Sequence, residues 1–472
     1  MILPLKKMCD IKQLIIKKHI KHLALDSRQV KPNSLFIALK GSKFDGNDYI
    51  EVAKASGASL ILSDNINVYS ARNNIYYVAE LKTKLPEIIN LIYVKQPQKL
   101  FAVTGTNGKS SIVDLLRQSF LSLGINITTI GTIGVYQNNS LIEELTNTTP
   151  DICKFYALLA EYSDNYFAFE ASSHGLVQQR FGDLKLDYAI FTNLTRDHLD
   201  YHQNMQNYFA AKLKLFTNHL KDNGTAIVNI DDKYGQKIRD ICRKKNIKIF
   251  TYGSNKADLC LVKSHNTDFI VRYQNNEYLF KTKLVGAFQI YNILAVISLL
   301  LHHNFAVEQI ATIVNKLKPI RGRLDEIEHN KDFRVFIDYA HTPDALKNIL
   351  MTLSEFCKAK LILVFGCGGD RDKGKRGQMA KIADQYADIT IVTDDNPRTE
   401  DASLIRAEIT KDIKQYYDIA ERELAIAKAI NIAESGDIIV IAGKGHENYQ
   451  IIGTEQKIFS DYEVAAKILN AN

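Results

Sequence analysis

Lys99-Leu100-Phe101-Ala102-Val103-Thr104-Gly105-Thr106-Asn107-Gly108-Lys109-Ser110-Ser111 is the stretch on which the fold turns. A short apolar run reads as a strand. It enters a glycine turn, then a lysine and two hydroxyls, after which Ile112, Val113, Leu115 and Leu116 recur at helical spacing. Strand, glycine loop, Lys-Ser and helix is the order that cradles a nucleoside triphosphate. Loop and helix N–H groups face the phosphates, Lys109 reaches the terminal ones, and Ser110 offers its oxygen to Mg²⁺. The usual pattern has a glycine five positions before Gly108, where this chain has Val103, so the loop is a shortened variant. A Gly-Lys-Ser also arises in surface turns; the flanking strand and helix favour phosphate.

The chain of 472 residues exceeds one ordinary core, and about three domains are expected. At 46% hydrophobic and 24% charged the composition is globular. The net charge of +7 is spread along the chain; it suits an enzyme handling anionic groups rather than nucleic acid, which would want a concentrated patch. The longest apolar run, Ile293 to Leu301, falls well short of a bilayer span. Met1-Ile-Leu-Pro-Leu-Lys-Lys has no signal-peptide core. Cys9, Cys153, Cys242, Cys260, Cys357 and Cys367 form no C-x-x-C pair, so neither disulfides nor zinc are indicated. A cytoplasmic monomer without membrane or nucleic-acid partners is expected.

Residues 1–95 read as a small α/β module with polar loops around Ser27 and around Ser42, Lys43 and Phe44; alone, these loops read as plain turns. From 96 to 318 strands alternate with helices as in a parallel doubly wound sheet: Tyr166–Phe169 ending on Glu170, Tyr188–Phe191 and Ala226–Asn229. From 319 to 472, after the basic linker Pro319-Ile-Arg-Gly-Arg323, the strands 334–338, 361–365, 389–392 and 438–441 repeat a Rossmann-like order. In such sheets ligands sit at the carboxyl ends of strands.

The polar constellations fall at those ends. Glu170 offers a hard oxygen for Mg²⁺, although a solvated strand end is an equal reading. Thr192 to His202 packs two histidines, two aspartates and an arginine into one loop without zinc spacing. Lys212, on a helix among small and apolar residues, reads as a snorkelling surface lysine. In the last segment Gly366–Gly374, Asp394–Arg398 and Ala442–Glu447 each follow a strand of one sheet, so they converge on one crevice suited to a second substrate.

Together and in this order, the motifs resemble the Mur ligases of bacterial cell-wall synthesis, most closely the branch that adds meso-diaminopimelate to UDP-N-acetylmuramoyl-L-alanyl-D-glutamate. The likeness runs from Leu25-Asp26-Ser27-Arg28 to Gly443-Lys444-Gly445-His446-Glu447. Gly-Thr-Asn-Gly-Lys-Ser alone would indicate only the wider superfamily, folylpolyglutamate synthases included. Ser-Ser-His-Gly-Leu, Thr-Asn-Leu-Thr-Arg-Asp-His-Leu-Asp-Tyr-His, Asp-Tyr-Ala-His-Thr-Pro-Asp-Ala-Leu and Asp-Asn-Pro-Arg are far more specific in combination.

The resemblance implies three α/β domains: a UDP-sugar-binding N-terminal module (1–95), a central P-loop ATPase-like parallel-sheet domain (96–318) and a Rossmann-like amino-acid-binding domain (319–472). It implies that Leu25, Ser27, Ser42, Lys43 and Phe44 bind the UDP-sugar, and that Asn147, Thr148, Thr149, Ser172, Gln178 and Arg180 bind the rest of the precursor. Thr104, Gly105, Thr106, Asn107, Gly108, Lys109 and Ser110 would hold ATP, with Asn292, Arg323 and Asp338. Ser110, Glu170 and His198 would serve Mg²⁺, and Lys212 falls where the family carries a carbamoylated lysine, a further metal ligand. Lys109, Lys212, His198 and Glu170 are thereby the catalytic set.

Arg371, Asp395, Asn396, Pro397, Arg398, Gly443 and Glu447 would bind diaminopimelate, which is lysine with an extra carboxylate at its far end. The guanidinium of Arg398 can take that carboxylate bidentately and would repel lysine's bare ammonium; lysine-adding relatives lack this arginine. Ser110-Ser111 stands where threonine is common, and Pro150 after the threonine pair has no reading. The implied reaction is ATP-driven amide formation through an acyl phosphate, with closure about the linker near Arg321. Lysine as amino acid, a folylpolyglutamate-type ligase and a non-catalytic nucleotide switch are the alternatives.

Overall fold

Runs such as Leu361-Ile362-Leu363-Val364-Phe365 carry apolar side chains at every position, as a strand covered on both faces must. In the computed structural model, which describes residues 8–41, 44–145, 147–265 and 267–471, this run is fully buried, and its alternate residues enter two separate cores. Leu361, Leu363 and Phe365 pack beneath the helices Pro343–Ser354, Gly374–Tyr386 and Ala402–Thr410. Ile362 and Val364 face Arg422–Ile432 and Asp461–Ala471. The chain divides into two units, one holding the residues up to Phe101 with Ile125–Asp187, the other Ala102–Gly124 with the chain from Tyr188 onward.

In the first unit, His22–Ala24, Ser34–Ala38, Ala58–Ser63 and Ile75–Tyr77 form a parallel four-stranded sheet in that order. A further run of strands in this unit is ordered Tyr166–Glu170, Ile127–Gly131, Gly134–Gln137, Ser140–Glu143; the first pair is parallel, the others antiparallel. Phe155 of the helix Ile152–Glu161 fixes the core here, with ring centroids 4.9 Å from Phe169 and 5.3 Å from Phe181.

In the second unit, Leu220–Asn229, Lys248–Gly253 and Leu259–His265 pair in parallel, and Leu259–His265, Asp268–Tyr273 and Asn276–Lys281 form an antiparallel meander. The last turn is a two-residue hairpin in which Gln274 and Asn275 both have positive φ, the geometry that suits a right-twisted ribbon. The long apolar run becomes the buried helix Ala287–His302, packed on the helix Lys109–Ser122 that follows the phosphate loop. The remaining sheet of this unit is ordered Asp325–Glu326, Arg334–Asp338, Ile438–Ala442, Leu361–Phe365, Ile389–Val392, Tyr416–Asp418, parallel apart from its first strand. Among the described residues no helix is long and apolar enough to cross a membrane, and all six cysteines are free.

Candidate active site

The strand Lys99–Thr104 ends at a loop that only glycine can form. Gly105 has φ +156°, and a Cβ there would stand 1.8 Å from the Thr192 hydroxyl. Thr192 donates from Oγ1 to the Asn107 carbonyl at 2.6 Å, and Asn193 accepts from the Asn107 N–H at 2.9 Å, so the Thr192–Thr195 segment braces the loop. Lys109 Nζ donates to the carbonyls of Gly105 (3.0 Å) and Thr106 (2.8 Å). Asn292 lies against Gly108, and Arg323 Nη2 donates to Ser110 Oγ at 3.3 Å. The Asp338 carboxylate takes the N–H groups of Leu324 and Ala340, each at 2.6 Å.

Lys212 is not the surface lysine its spacing suggests. It is 1% exposed, and its Nζ lies 2.7 Å from the Gly105 carbonyl and 4.8 Å from the Tyr208 ring centre. Burial, then the neighbouring charge of Lys109, drives its pKa well below the ordinary lysine range. A neutral amine is the form that reacts with CO₂.

Asp197 is buried beside His198 (3.3 Å) and His341 (3.9 Å). Burial opposes its ionisation, but the fields of His198, Lys375 and His341 overcome this and hold the carboxyl far below its usual range. The residues from 322 onward reach this loop directly: Arg196 forms a two-bonded pair with Asp372 (both 3.0 Å), and Asn107 Nδ2 donates to Asp344 at 3.0 Å.

The three strand-end loops of the last sheet meet. Arg398, at φ +53°, donates from Nη1 to Gly369 O at 2.9 Å, and the like charge of Arg371 is among the influences acting on it. Asn396 donates to Glu447 at 3.0 Å, and its side-chain oxygen accepts from Lys444 (3.0 Å) and Ile451 N (2.9 Å). Asp395 is buried, and Pro397 O lies where a Cβ on Gly369 would fall, 1.9 Å away. Gly443 approaches Asp395 closely enough that a Cβ would stand 2.6 Å from Oδ2.

In the first unit the precursor candidates form one hydrogen-bonded cluster. Glu170 accepts from Thr132 N (2.7 Å) and Thr132 Oγ1 (3.2 Å), and that hydroxyl pairs with Thr148 at 3.0 Å. Thr149 Oγ1 donates to Glu170 O and lies 3.0 Å from Ser172 Oγ. Arg180 reaches Thr149 O and Gln178 Oε1; Asn147 directly precedes this cluster in the chain. Ser27 is buried, Leu25 partly so and Phe44 is 71% exposed. Ser42 and Lys43 lie outside the described residues.

Three stretches match family models: residues 19–90 the Mur ligase family catalytic domain, 103–300 the Mur ligase middle domain, and 322–445 the Mur ligase glutamate ligase domain. The chain is 42% identical to the UDP-N-acetylmuramoyl-L-alanyl-D-glutamate--2,6-diaminopimelate ligase of Rickettsia rickettsii, over 98% of both chains. With the enzyme of that name from Rickettsia bellii (strain RML369-C) the identity is 43%, over 97% of each. The chain belongs to the Mur ligase family. A solved structure of a ligase of that name, 32% identical, aligns over 96% of this Mur ligase and 95% of that chain with a TM-score of 0.66.

Several residues that shape this Mur ligase's site owe their placement to tertiary structure rather than to local spacing. Thr132 holds Glu170 from a neighbouring strand end; its only mark is the preceding Gly131, where a Cβ would stand 2.2 Å from Glu170 Oε1. Tyr339 lies 4.4 Å beneath the Arg323 guanidinium. His341, in the quoted Asp-Tyr-Ala-His segment, faces Asp197, which is far away in the chain. Lys375, Arg422 and Lys444 are cations whose burial only tertiary structure reveals.

Proposed function

We infer that this Mur ligase uses ATP to join meso-diaminopimelate to UDP-N-acetylmuramoyl-L-alanyl-D-glutamate, forming an amide in peptidoglycan synthesis. Full-length likeness to ligases of that name supports the activity. The observation in the fold that carries it is the pairing, in one unit, of a lysine-armed phosphate loop with the Arg371–Arg398 pair. The half-buried guanidinium of Arg398, with the exposed Arg371 near enough for its charge to act on it, suits a carboxylate at the far end of the incoming amino acid, which lysine lacks.

The γ-phosphoryl group passes to the D-glutamate side-chain carboxylate, giving an acyl phosphate and ADP. The amine of diaminopimelate attacks that carbonyl, and the tetrahedral adduct expels phosphate while the nitrogen loses its proton. Gly105 to Ser110 hold the nucleotide phosphates. Lys109 swings from the loop carbonyls onto the transferring group and offsets charge that grows there. Asn292, Arg323 and Asp338 hold the rest of the nucleotide. Thr148, Thr149, Ser172, Gln178 and Arg180 orient the precursor.

Mg²⁺ is the metal the family implies. Glu170 fits it: a buried carboxylate whose hydrogen-bond partners, the Thr132 N–H and hydroxyl, are neutral. Ser110, His198 and Lys212 as carbamate are the further donors the family implies, and an ion held by such groups would neutralise phosphate charge. At Lys212 the neutral amine adds to CO₂, forming an N–C bond and releasing one proton to solvent. The reading comprises three domains at 1–95, 96–318 and 319–472, and a monomer working in the cytoplasm, where ATP and UDP-linked precursors are made.

Phosphate release from ATP with the UDP-linked dipeptide tests this, meso-diaminopimelate against L-lysine. Turnover with diaminopimelate alone, lost in Arg398→Ala, is the expected result. Turnover with lysine would overturn the specificity reading, and turnover with neither would overturn the ligase reading.

A further inference from the structure

Beneath the proposed amino-acid pocket lies a pair of charges that the reaction above does not use. Arg422 opens the helix Arg422–Ile432 and Asp461 opens Asp461–Ala471; these helices pack together, and both side chains are fully buried. Arg422 Nε and Nη2 donate to the Asp461 carboxylate at 2.7 and 2.8 Å. Nη2 also donates to Ala442 O at 2.9 Å, the last residue of the strand before Gly443. A Cβ on Gly443 would stand 2.6 Å from Asp395 Oδ2 and 3.9 Å from Arg422 Nη2, so carboxylate and guanidinium flank the same turn. Nη1 is buried with no hydrogen-bond partner among the described residues.

Stability does not account for this placement. A cation in the first turn of a helix sits at the unfavourable end of the dipole, and a buried ion pair gains little over apolar side chains of similar size. What the pair touches is the pocket. Asp395 and Glu447 are the further carboxylates whose charges act on Arg422. Lys444, which bonds Asn396 and Glu447 at 3.0 and 3.3 Å, is a second buried cation against these carboxylates.

We propose that Arg422 is a positioning residue for the amino-acid pocket: from below, its guanidinium fixes the Gly443 turn and the Asp395 carboxylate, so that the two loops present one preformed site. This rests on the ligase reading, which fails separately if the unaltered enzyme does not consume diaminopimelate.

The experiment compares Arg422→Met/Asp461→Leu, which removes both charges and leaves neither buried alone, with Arg422→Lys and the unaltered enzyme. KM values are read for diaminopimelate, ATP and the UDP-linked dipeptide, since KM does not depend on the fraction of enzyme folded. In the double variant KM for diaminopimelate should rise about tenfold or more, ~1.4 kcal/mol of binding, with a smaller rise in Arg422→Lys. The other two KM values should stay within about twofold. An unchanged KM for diaminopimelate in the variants that turn over overturns the proposal. So does an equal rise for ATP, or a soluble variant that has lost nucleotide binding along with activity. If the double variant does not fold, Arg422→Lys decides: a raised KM for diaminopimelate alone supports the role, and an unchanged one overturns it.

Discussion

Two buried groups of the second unit show how burial acts on opposite charges. At Lys212 burial and Lys109 favour the neutral amine. Lys212→Met keeps the side chain's length and apolar packing but removes the nitrogen, so the fold should persist while phosphate release falls about 100-fold or more. Lys212→Arg should fare no better, because a guanidinium stays charged beside Lys109 and cannot take up CO₂. A turnover assay alongside a melting curve checks this; a Met variant that turns over normally would remove Lys212 from the mechanism. At Asp338 burial pushes the carboxyl up to about 6, against Arg323 and the Leu324 and Ala340 N–H groups. Its ordinary value is 3.8, so the native state binds the extra proton between these values. Stability should therefore fall as pH rises from about 4 to about 6, by about 3 kcal/mol, and stay lower above. Denaturant titrations across that window should show the slope in the unaltered protein and its loss in Asp338→Asn; equal slopes would refute it. The loop Thr104–Ser110 was legible because local spacing defines it. The burial of Lys212 was not, because it depends on a strand end about a hundred positions away.

Short elements hold the cluster proposed for the precursor. Ser172 caps the helix Ser173–Val177 by accepting from Gly175 N at 3.1 Å, and its hydroxyl also meets Thr149. Ser172→Ala should cost about 1 kcal/mol through the cap and raise KM for the UDP-linked dipeptide while leaving that for diaminopimelate unchanged. Equilibrium unfolding and initial rates measure the two effects separately; a lower stability with no change in KM would make Ser172 a cap alone. The fully apolar strands were legible, since a run buried on both faces needs no partner to be recognised. The meander Leu259–Lys281 and the hairpin Tyr449–Ile458 were not. Most of their residues are polar or at least partly exposed, and that mixed sequence offers no unbroken apolar run to mark a strand. Yet the hairpin matters to the pocket: Gln450 donates to Asp395 O at 2.7 Å and Arg398 N to Ile451 O at 3.1 Å.

On the scale of the chain, amide ligation requires that the segment carrying the amino acid meet the segment carrying the phosphates. Within the second unit Arg196, from the loop after Phe191, holds Asp372, from the loop after Phe365. Arg196 is 39% exposed at its side chain, so solvent screens the pair, and about 1 kcal/mol is its reasonable worth. Asp372→Asn is the informative change, because an amide oxygen can still accept from Gly374 N, as Asp372 Oδ1 does at 2.9 Å, while the charge facing Arg196 is lost. The expected result is a kcat lower by about fivefold with KM for ATP unchanged, since the phosphate loop is braced independently by Thr192 and Asn193. Salt supplies a second reading: in the unaltered enzyme kcat should decline with ionic strength as the pair is screened, and in the variant that decline should flatten. If kcat and its salt profile match in the two proteins, the contact is a bystander and the segments are brought together by other contacts, such as Asn107 with Asp344 and Arg323 with Ser110.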